Sequence, residues 1–299
     1  MNIYSSDKNL ILENVPDFDI EEVLECGQCF HFTKLNDKEY EILALGKYLH
    51  IKQENSLQEV DLSNRITLYN TSIDDYERLW KDYFDMERDY HHIKNHIVSI
   101  DDRLADAVAA KKGVRIIKQE FFETLISFII SQNKQIPHIK QIVHTISERY
   151  GDEIVLPNGR KVYSFPTVEK LYQVSEEELR ECKVGFRAPY IRNAVEKVYD
   201  GEIDGLMLQN LSVSEARERL MTIKGVGEKV ANCVLLFGLG FTDVFPVDVW
   251  MKRIMEHMYF GQDTKKEIIE KFAMDRYGEY AGFAQQYLFY YGREQGLGK

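Results

Sequence analysis

The sequence predicts an α+β protein in which an antiparallel β-sheet precedes a larger, mostly α-helical region. Two observations support this fold class. Short runs of alternating apolar and polar residues, separated by turn formers, occupy roughly the first 70 residues. From Ser72 onward, the apolar residues recur at helical spacing instead. We therefore expect a sheet domain with flanking helices over residues 1–100 and a helical region over residues 101–299.

The expected elements follow in chain order. Four β-type runs are predicted, at residues 29–35, 40–45, 48–51 and 65–69. Amphipathic stripes then predict helices through residues 104–108 and 121–129, followed by further helices near residues 134–149, 175–182, 187–200, 213–222, 228–238, 249–260, 264–277 and 279–291. The segment 151–167 contains Gly and Pro, and we expect it to be a loop that joins two helical parts.

The segment 220–229 reads Leu-Met-Thr-Ile-Lys-Gly-Val-Gly-Glu-Lys and predicts a helix–hairpin–helix over residues 213–238. Gly225 and Gly227 are expected to adopt positive φ in a tight turn. Such a turn exposes backbone N–H groups at the start of a helix, where an anion such as phosphate can bind. Lys229 falls in the first helical turn, whose partial positive charge disfavours an ammonium, so this lysine is a candidate amine nucleophile. The alternative is an ordinary helix corner with a solvated lysine.

Asp248 follows nineteen residues after Lys229, in the segment Phe-Pro-Val-Asp. Its position before a helical pattern predicts an N-cap, which is a purely structural role. Capping does not exclude catalysis, because a carboxylate held by helix N–H groups is rigid. It could stabilise a developing oxocarbenium ion across a cleft.

Other candidate sites are weaker. Cys26 and Cys29 form one CxxC pair without a second pair, which argues against structural zinc. His92 and His96 have helical spacing but lack the glutamate of a HExxH motif, so a solvated helix face is favoured. The tyrosines crowded into the last predicted helix are expected to line the core or a groove; stacking on a nucleobase is the alternative.

The net charge of −11 argues at first against a nucleic-acid partner. However, residues 1–100 carry a net charge of −10 and residues 101–299 only −1, so the region of the glycine turn is not acidic. No apolar run approaches the roughly 18 residues of a membrane span, and the start of the chain does not resemble a secretory signal. The four scattered cysteines fit a reducing compartment. We therefore expect a cytoplasmic protein without a membrane partner, associated with the nucleoid if the source is prokaryotic.

These residues resemble the helix–hairpin–helix DNA glycosylase superfamily, and specifically its 8-oxoguanine DNA glycosylase family. The strongest similarity is in the hairpin with Lys229 and in the segment that ends at Asp248. Three further motifs occur in the family order, in the segments 131–133, 184–190 and 281–289, and a fifth, Cys-Gly-Gln-Cys-Phe, lies at residues 26–30. The resemblance covers nearly the full chain and implies an N-terminal sheet domain similar to the TATA-binding protein.

The resemblance implies a role for each matched residue. Lys229 would attack C1′ of the damaged nucleoside and form a Schiff base, and Asp248 would support that attack. The remaining matched positions fall into three groups: a base pocket of Gly27, Cys233, Gln285 and Phe289; DNA contacts by Asn133, His138, Phe186, Arg187, Gly225, Gly227 and Trp250; and an ion bound by the backbone carbonyls of Met221, Ile223 and Val226. Gly27 would select the substrate, because in the family its carbonyl accepts the N7–H that 8-oxoguanine has and guanine lacks.

Three positions depart from the eukaryotic members of the family. Trp250 stands in place of a histidine, Phe186 in place of a tyrosine, and His138 in place of an arginine that reads the opposite cytosine. From His138 we expect relaxed discrimination of the base opposite the lesion. No cysteine lies beyond Cys233, so an iron–sulfur cluster is excluded on ligand count.

The sequence thus predicts a bifunctional 8-oxoguanine DNA glycosylase and abasic-site lyase. We expect it to act as a monomer on duplex DNA containing 8-oxoguanine, with no required cofactor apart from a structural monovalent or calcium ion at the hairpin. Three alternatives remain. A glycosylase for alkylated purines would typically lack the lysine, a DNA-binding module would need neither Lys229 nor Asp248, and a Schiff-base aldolase would show a βα repeat pattern.

Overall fold

A computed structural model describes residues 1–54 and 64–297. The N-terminal part holds a six-stranded antiparallel sheet in the order β1-β2-β6-β5-β4-β3. Its strands are β1 (Asn2–Ser6), β2 (Asn9–Glu13), β3 (Phe32–Asn36), β4 (Glu39–Ala44), β5 (Lys47–Glu54) and β6 (Arg65–Tyr69). The helix α1 (Ile20–Glu25) joins β2 to β3. In the central strands buried and partly exposed residues alternate, which is the pattern that predicted them.

Helices dominate the rest of the described chain, so the predicted α+β fold class is confirmed. They are α2 (Ile73–Asp75), α3 (Lys81–Tyr83), α4 (Tyr90–Ile100), α5 (Ala105–Ala110), α6 (Phe121–Ser131), α7 (Ile136–Tyr150), α8 (Val168–Tyr172), α9 (Glu176–Glu181), α10 (Ala188–Tyr199), α11 (Gly205–Gln209), α12 (Val213–Met221), α13 (Glu228–Leu239), α14 (Val249–Met255), α15 (Lys266–Tyr277) and α16 (Ala281–Glu294). One-turn π-helices at Tyr76–Trp80 and Glu256–Phe260, and 3₁₀ turns at Asp102–Leu104, Gly185–Arg187 and Gly278–Tyr280, continue or precede these helices. Within the described ranges, none of the helices is long and apolar enough to span a membrane.

The segment 151–167 differs from the predicted loop. It contains a short antiparallel hairpin of β7 (Glu153–Val155) and β8 (Lys161–Tyr163). Each strand has only three residues, and most of them are exposed or polar, so the sequence shows too little alternation to reveal them. The domain border at residue 100 stays a prediction.

The packing of the core places the N-terminal part against the last helices. Cys26, which follows α1, is fully buried in a hydrophobic cluster with Met251 of α14 and Ala284 and Leu288 of α16. Gln28 is also fully buried, and its side-chain amide donates to the carbonyls of Val23 and Arg115. The turn at residues 26–28 is therefore held between the sheet domain and α16, and the candidate site forms at this junction.

Candidate active site

The predicted helix–hairpin–helix is present, with α12 and α13 as its helices. Gly225 has a φ of +79°, as expected, and a Cβ added to it would lie 2.3 Å from the Tyr190 ring. The expectation of positive φ at Gly227 is wrong. Its φ is −103°, because it is the extended N-cap residue of α13, a conformation open to any residue. A Cβ at Gly227 would meet no atom within 4 Å, so space within the protein does not require a glycine there.

The hairpin carbonyls proposed as ion ligands are partly engaged already. The carbonyl of Ile223 accepts a hydrogen bond from the Val226 amide at 3.0 Å, which leaves one lone pair for another partner. Met221 is 41% exposed, whereas Ile223 and Val226 are buried. An ion at these three carbonyls stays a prediction.

Lys229 is the second residue of α13 and its side chain is partly buried. Its Nζ lies 3.4 Å from Oγ of Ser131 and 5.1 Å from the centre of the Phe128 ring. The amine is therefore placed against the C-terminal half of α6, beside an aromatic face and one hydroxyl oxygen, and it also contacts the Cys233 thiol. Within the described chain it forms no salt bridge.

Asp248 is the N-cap of α14, as the sequence predicts, and its Oδ1 accepts the Met251 amide at 2.7 Å. The preceding residues Val244–Val247 are buried, which anchors the segment that carries the carboxylate. The carboxylate is partly exposed, so it combines a fixed position with access to the cleft.

A single cleft of about 540 Å³ brings these two groups together with the N-terminal turn. Its walls come from the segment after α1, from α6, α7, α13 and α14, and from the C-terminal half of α16. The lining residues are Glu25, Gly27, Phe30, Phe128, Ser131, Lys134, Gln135, Ile136, Pro137, Ile139, Lys229, Asp248, Trp250, Phe289 and Arg293. An amine, a carboxylate and aromatic side chains therefore share one concave site of the size that binds a small molecule or a nucleobase.

Gly27 lines one side of this cleft. Its φ is +87°, and a Cβ added to it would lie 3.4 Å from both Ile136 Cδ1 and Phe289 Cε1. Glycine is therefore required for the left-handed backbone, and a side chain would also narrow the slot beside Phe289. This is the place where a flat ring could approach a backbone carbonyl closely.

Gln285 and Cys233 lie behind the cleft and are buried. Oε1 of Gln285 has no hydrogen-bond partner in the described part of the chain, and its Nε2 meets only the Met251 sulfur at 3.8 Å. A buried acceptor without a partner is costly, and such atoms are concentrated at ligand sites. Burial raises the pKa of Cys233 to about 11, while the nearby Lys229 lowers it, so its sulfur is a neutral thiol at neutral pH.

Of the predicted DNA contacts, Asn133, His138 and Phe186 are exposed, whereas Trp250 is partly buried and lines the cleft. Asn133 has a φ of +50° in the turn between α6 and α7, and His138 is exposed in the first turn of α7. Phe186 is 51% exposed, and the Arg187 guanidinium carbon lies 4.3 Å from its ring centre.

Arg187 itself is only 2% exposed. Its guanidinium donates to the carbonyls of Val184 and Gln132, the residue before Asn133. It therefore braces the turn that carries Asn133 and supports Phe186 from below. Its Nε is buried without a partner among the described residues.

Sequence reasoning missed Arg293 as a pocket residue. A signal was present, because Gln285, Phe289 and Arg293 are spaced four residues apart and fall on one face of a helix. Phe128 and Ile136 were also missed as cleft residues. They look like ordinary apolar positions of α6 and α7, and nothing in their pattern separates a cleft wall from a core.

Comparisons with known proteins match two family models to consecutive parts of the chain. The family model described as "8-oxoguanine DNA glycosylase, N-terminal domain" matches residues 10–125. The model described as "HhH-GPD superfamily base excision DNA repair protein" matches residues 126–278, and so covers half of the chain.

Solved structures extend the similarity over 99% of the chain, and a curated relative matches 66% of it. A structure of MBOgg1 in complex with a low affinity DNA ligand is 41% identical, with a TM-score of 0.92 and 99% of each chain covered. An 8-oxoguanine glycosylase/lyase from Clostridium acetobutylicum, bound to duplex DNA with cytosine opposite 8-oxoguanine, is 36% identical, with a TM-score of 0.91 and the same coverage. A probable N-glycosylase/DNA lyase from Methanothermobacter thermautotrophicus is 33% identical over 66% of this chain and 69% of that protein.

Proposed function

The chain belongs to the 8-oxoguanine DNA glycosylase family within the HhH-GPD superfamily of base excision repair proteins, and from this we propose a bifunctional enzyme that removes 8-oxoguanine from duplex DNA and then cleaves the abasic strand. One observation carries the proposal. The amine of Lys229, the carboxylate of Asp248 and the turn at Gly27 line the same cleft, although they come from distant parts of the chain. A DNA-binding module without catalysis would need none of these three groups in one place.

Lys229 supplies the nucleophile. Its neutral amine attacks C1′, the C1′–N9 bond breaks, and the bonding electrons leave with the purine, which takes up a proton. Opening of the sugar ring gives a Schiff base between Nζ and C1′. Loss of a C2′ proton then expels the 3′ phosphate by β-elimination. Nζ of Lys229 lies over the ring of Phe128 and forms no salt bridge within the described chain, so the amine is not tied to a carboxylate and is free to turn toward C1′.

Asp248 stabilises the positive charge that develops on the sugar. Its Met251 contact occupies one carboxylate oxygen, so the other oxygen can face the cleft. A fixed carboxylate in a site sheltered from water is worth more than a mobile one, because it needs no reorganisation during the reaction.

The base enters the slot beside Gly27 after it leaves the DNA stack. The Gly27 carbonyl accepts the N7–H of 8-oxoguanine, whereas guanine would present a lone pair to it and be rejected. Gln285 supplies a second polar contact, because its orphaned Oε1 can accept a hydrogen bond from the base edge. The Phe289 ring and the neutral Cys233 thiol would lie on the two faces of the base.

The exposed residues Asn133, His138 and Phe186 would contact the DNA around the gap that the flipped base leaves. The hairpin amides at Gly225 and Gly227 would bind a backbone phosphate. We further propose that the enzyme acts as a monomer in the cytoplasm and needs no redox or organic cofactor. An ion at the hairpin carbonyls would serve structure and not chemistry.

Borohydride trapping tests the reaction directly. Incubation with an 8-oxoguanine duplex and borohydride should reduce the Schiff base to a stable protein–DNA adduct, and Lys229→Gln should give none. An alkylpurine glycosylase would excise methylated bases and form no adduct. If Lys229→Gln formed adducts as the wild type does, the nucleophile would be another group and the mechanism would be wrong.

A further inference from the structure

The backbone turn that contains Gly27 is held by side chains from elsewhere in the fold. The carbonyl of Glu25 accepts a hydrogen bond from Nη2 of Arg293 at 2.9 Å. The carbonyl of Cys26 accepts one from Nε2 of Gln286 at 3.2 Å. The carbonyl of Gln28 accepts one from Nε2 of Gln119 at 2.8 Å. Three of the four consecutive carbonyls are thus bound to side-chain donors.

The fourth carbonyl, that of Gly27, has no hydrogen-bond partner in the described part of the chain. Gly27 is partly exposed and lines the cleft, so its carbonyl is the one in this turn that is left for a partner from outside the protein. The donors on either side prevent the turn from rotating to satisfy it internally. This carbonyl therefore stays available to a donor that enters the cleft.

Arg293 also connects this turn to the aromatic wall of the slot. Its guanidinium carbon lies 5.6 Å from the Phe289 ring centre, and its Nη1 lies 3.5 Å from the position that a Gly27 Cβ would take. Since Arg293 and Phe289 are one turn apart on α16, the arginine fixes the width of the slot between that helix and the Gly27 turn. Gln286 acts from the same helix on the adjacent carbonyl.

Arg293 carries an energetic cost that packing alone does not explain. Its Nη1 is buried and has no partner among the described residues. A buried donor left unpaired costs on the order of the full desolvation penalty, and an apolar side chain of similar length would avoid it. Buried polar groups without a hydrogen-bond partner are concentrated at functional sites.

We propose that Arg293 is a positioning residue that determines base specificity, because it holds the Gly27 carbonyl toward the base and sets the slot beside Phe289. This inference rests on the proposed 8-oxoguanine glycosylase function. It assigns the discrimination between 8-oxoguanine and guanine to Arg293 of α16 as well as to Gly27 itself. Removal of Arg293 should impair excision of 8-oxoguanine, whose N7–H binds the Gly27 carbonyl, and should spare guanine, which makes no such bond, and the abasic site, which has no base.

The test uses three reactions of the full-length protein: excision of 8-oxoguanine, excision of guanine, and strand cleavage at a preformed abasic site. Arg293→Met keeps the aliphatic stem and removes the donors. Because a displacement of about 1 Å can cost roughly 100-fold in rate, 8-oxoguanine excision under single-turnover conditions should fall roughly 10- to 100-fold. Guanine excision and abasic-site cleavage should stay within about twofold of their wild-type rates. The ratio of the 8-oxoguanine excision rate to the guanine excision rate should therefore fall roughly 10- to 100-fold.

Arg276→Met is the matched control, because Arg276 pairs with Asp101 away from the cleft. It should leave all three rates unchanged. If Arg293→Met does not fold, Arg293→Lys is the second variant. It keeps a cationic donor, and it should lower the ratio of 8-oxoguanine to guanine excision by a smaller factor. The inference is overturned if the base ratio stays at the wild-type value in the folded variant, or if all three rates fall together. Failure of the wild type to excise 8-oxoguanine would instead refute the proposed function.

Discussion

Nζ of Lys229 lies 3.4 Å from Oγ of Ser131, and the Ser131 hydroxyl in turn donates to the Phe128 carbonyl at 2.8 Å. The hydroxyl proton is therefore used in the bond to the Phe128 carbonyl of α6, and an oxygen lone pair accepts from the amine. Ser131 can orient Lys229 without competing for its lone pair. The site thus orients the nucleophile with a hydroxyl oxygen that accepts a hydrogen bond from it.

Ser131→Ala should consequently slow the reaction without abolishing it. A long hydrogen bond to a partly exposed amine is worth about 1 kcal/mol, so the single-turnover excision rate should fall roughly fivefold. Ser147→Ala is the matched control, since its hydroxyl makes the same type of bond to the Val143 carbonyl in α7. Equal effects of the two substitutions would show that only helix stability had changed.

The two hairpin glycines should respond differently to alanine. Gly225→Ala places a side chain at a φ of +79° and within 2.3 Å of the Tyr190 ring. The backbone strain alone costs roughly 1–3 kcal/mol, and we expect a clear drop in Tm. Gly227→Ala has an ordinary φ and open space, so its Tm should stay close to that of the wild type.

DNA binding separates the roles of these glycines further. If the Gly227 amide approaches a phosphate, an added methyl group at this exposed position should weaken DNA affinity although the protein remains folded. Fluorescence anisotropy with an abasic duplex at fixed salt provides the measurement. Unchanged affinity of Gly227→Ala would mean that the phosphate does not approach this residue.

The hairpin was predictable because its signals are local. Apolar residues at helical spacing and paired glycines both lie within the segment that they specify. The positive φ expected at Gly227 was wrong, because a sequence cannot tell a turn glycine from a glycine N-cap. The strand β1 was missed for a different reason. It is an edge strand with four of its five residues exposed, so it lacks the alternation of a half-buried strand.

The base slot depends on contacts distant in sequence, and only part of it could be predicted. The pairing of Arg293 with the Glu25 carbonyl joins positions 268 residues apart. No pattern in one sequence indicates such a contact. The helical spacing of Gln285 and Phe289 was informative only through the resemblance to a family, which supplied the idea of a base pocket. The structure adds that Oε1 of Gln285 is without a partner in the described chain.

Gln285→Met should therefore separate stability from base recognition. The substitution removes a buried unpaired acceptor at nearly constant volume, so the free energy of unfolding should stay constant or rise by about 1 kcal/mol. Excision of 8-oxoguanine should fall roughly 10- to 100-fold, because a lost polar contact to a base edge costs about 1–3 kcal/mol. Cleavage at a preformed abasic site is the internal control and should be retained. A parallel loss of both activities would argue that Gln285 supports the fold.

The buried thiols should make the protein sensitive to alkaline pH. Burial raises the pKa of both Cys26 and Cys233 from an ordinary value near 9 to about 11. The folded state thus retains protons that the unfolded chain loses, so the free energy of unfolding should fall as pH rises from about 9 to about 11. Urea unfolding at pH 8, 9 and 10 measures the effect. Cys233→Ala should make the free energy of unfolding depend less steeply on pH. An unchanged dependence would mean that the Cys233 thiol titrates alike in the folded and unfolded states.

Specificity for the opposite base provides the last test. His138 is exposed in the first turn of α7, five residues after Asn133 in the chain. A histidine offers one or two donors from a compact ring, whereas the arginine of eukaryotic members offers a bidentate fork. We therefore expect excision rates for 8-oxoguanine paired with each of the four bases to differ by less than about tenfold, the equivalent of roughly 1.4 kcal/mol.

His138→Arg is the informative variant for this prediction. It should raise the preference for cytosine while leaving abasic-site cleavage unchanged, because the guanidinium can reach the orphaned base without touching Lys229. Phe186→Ala serves as the comparison, since the loss of an exposed aromatic ring should lower the rate for all four pairs alike. A strong cytosine preference in the wild type would mean that other groups, such as Asn133, read the opposite base, and that the histidine has no part in discrimination.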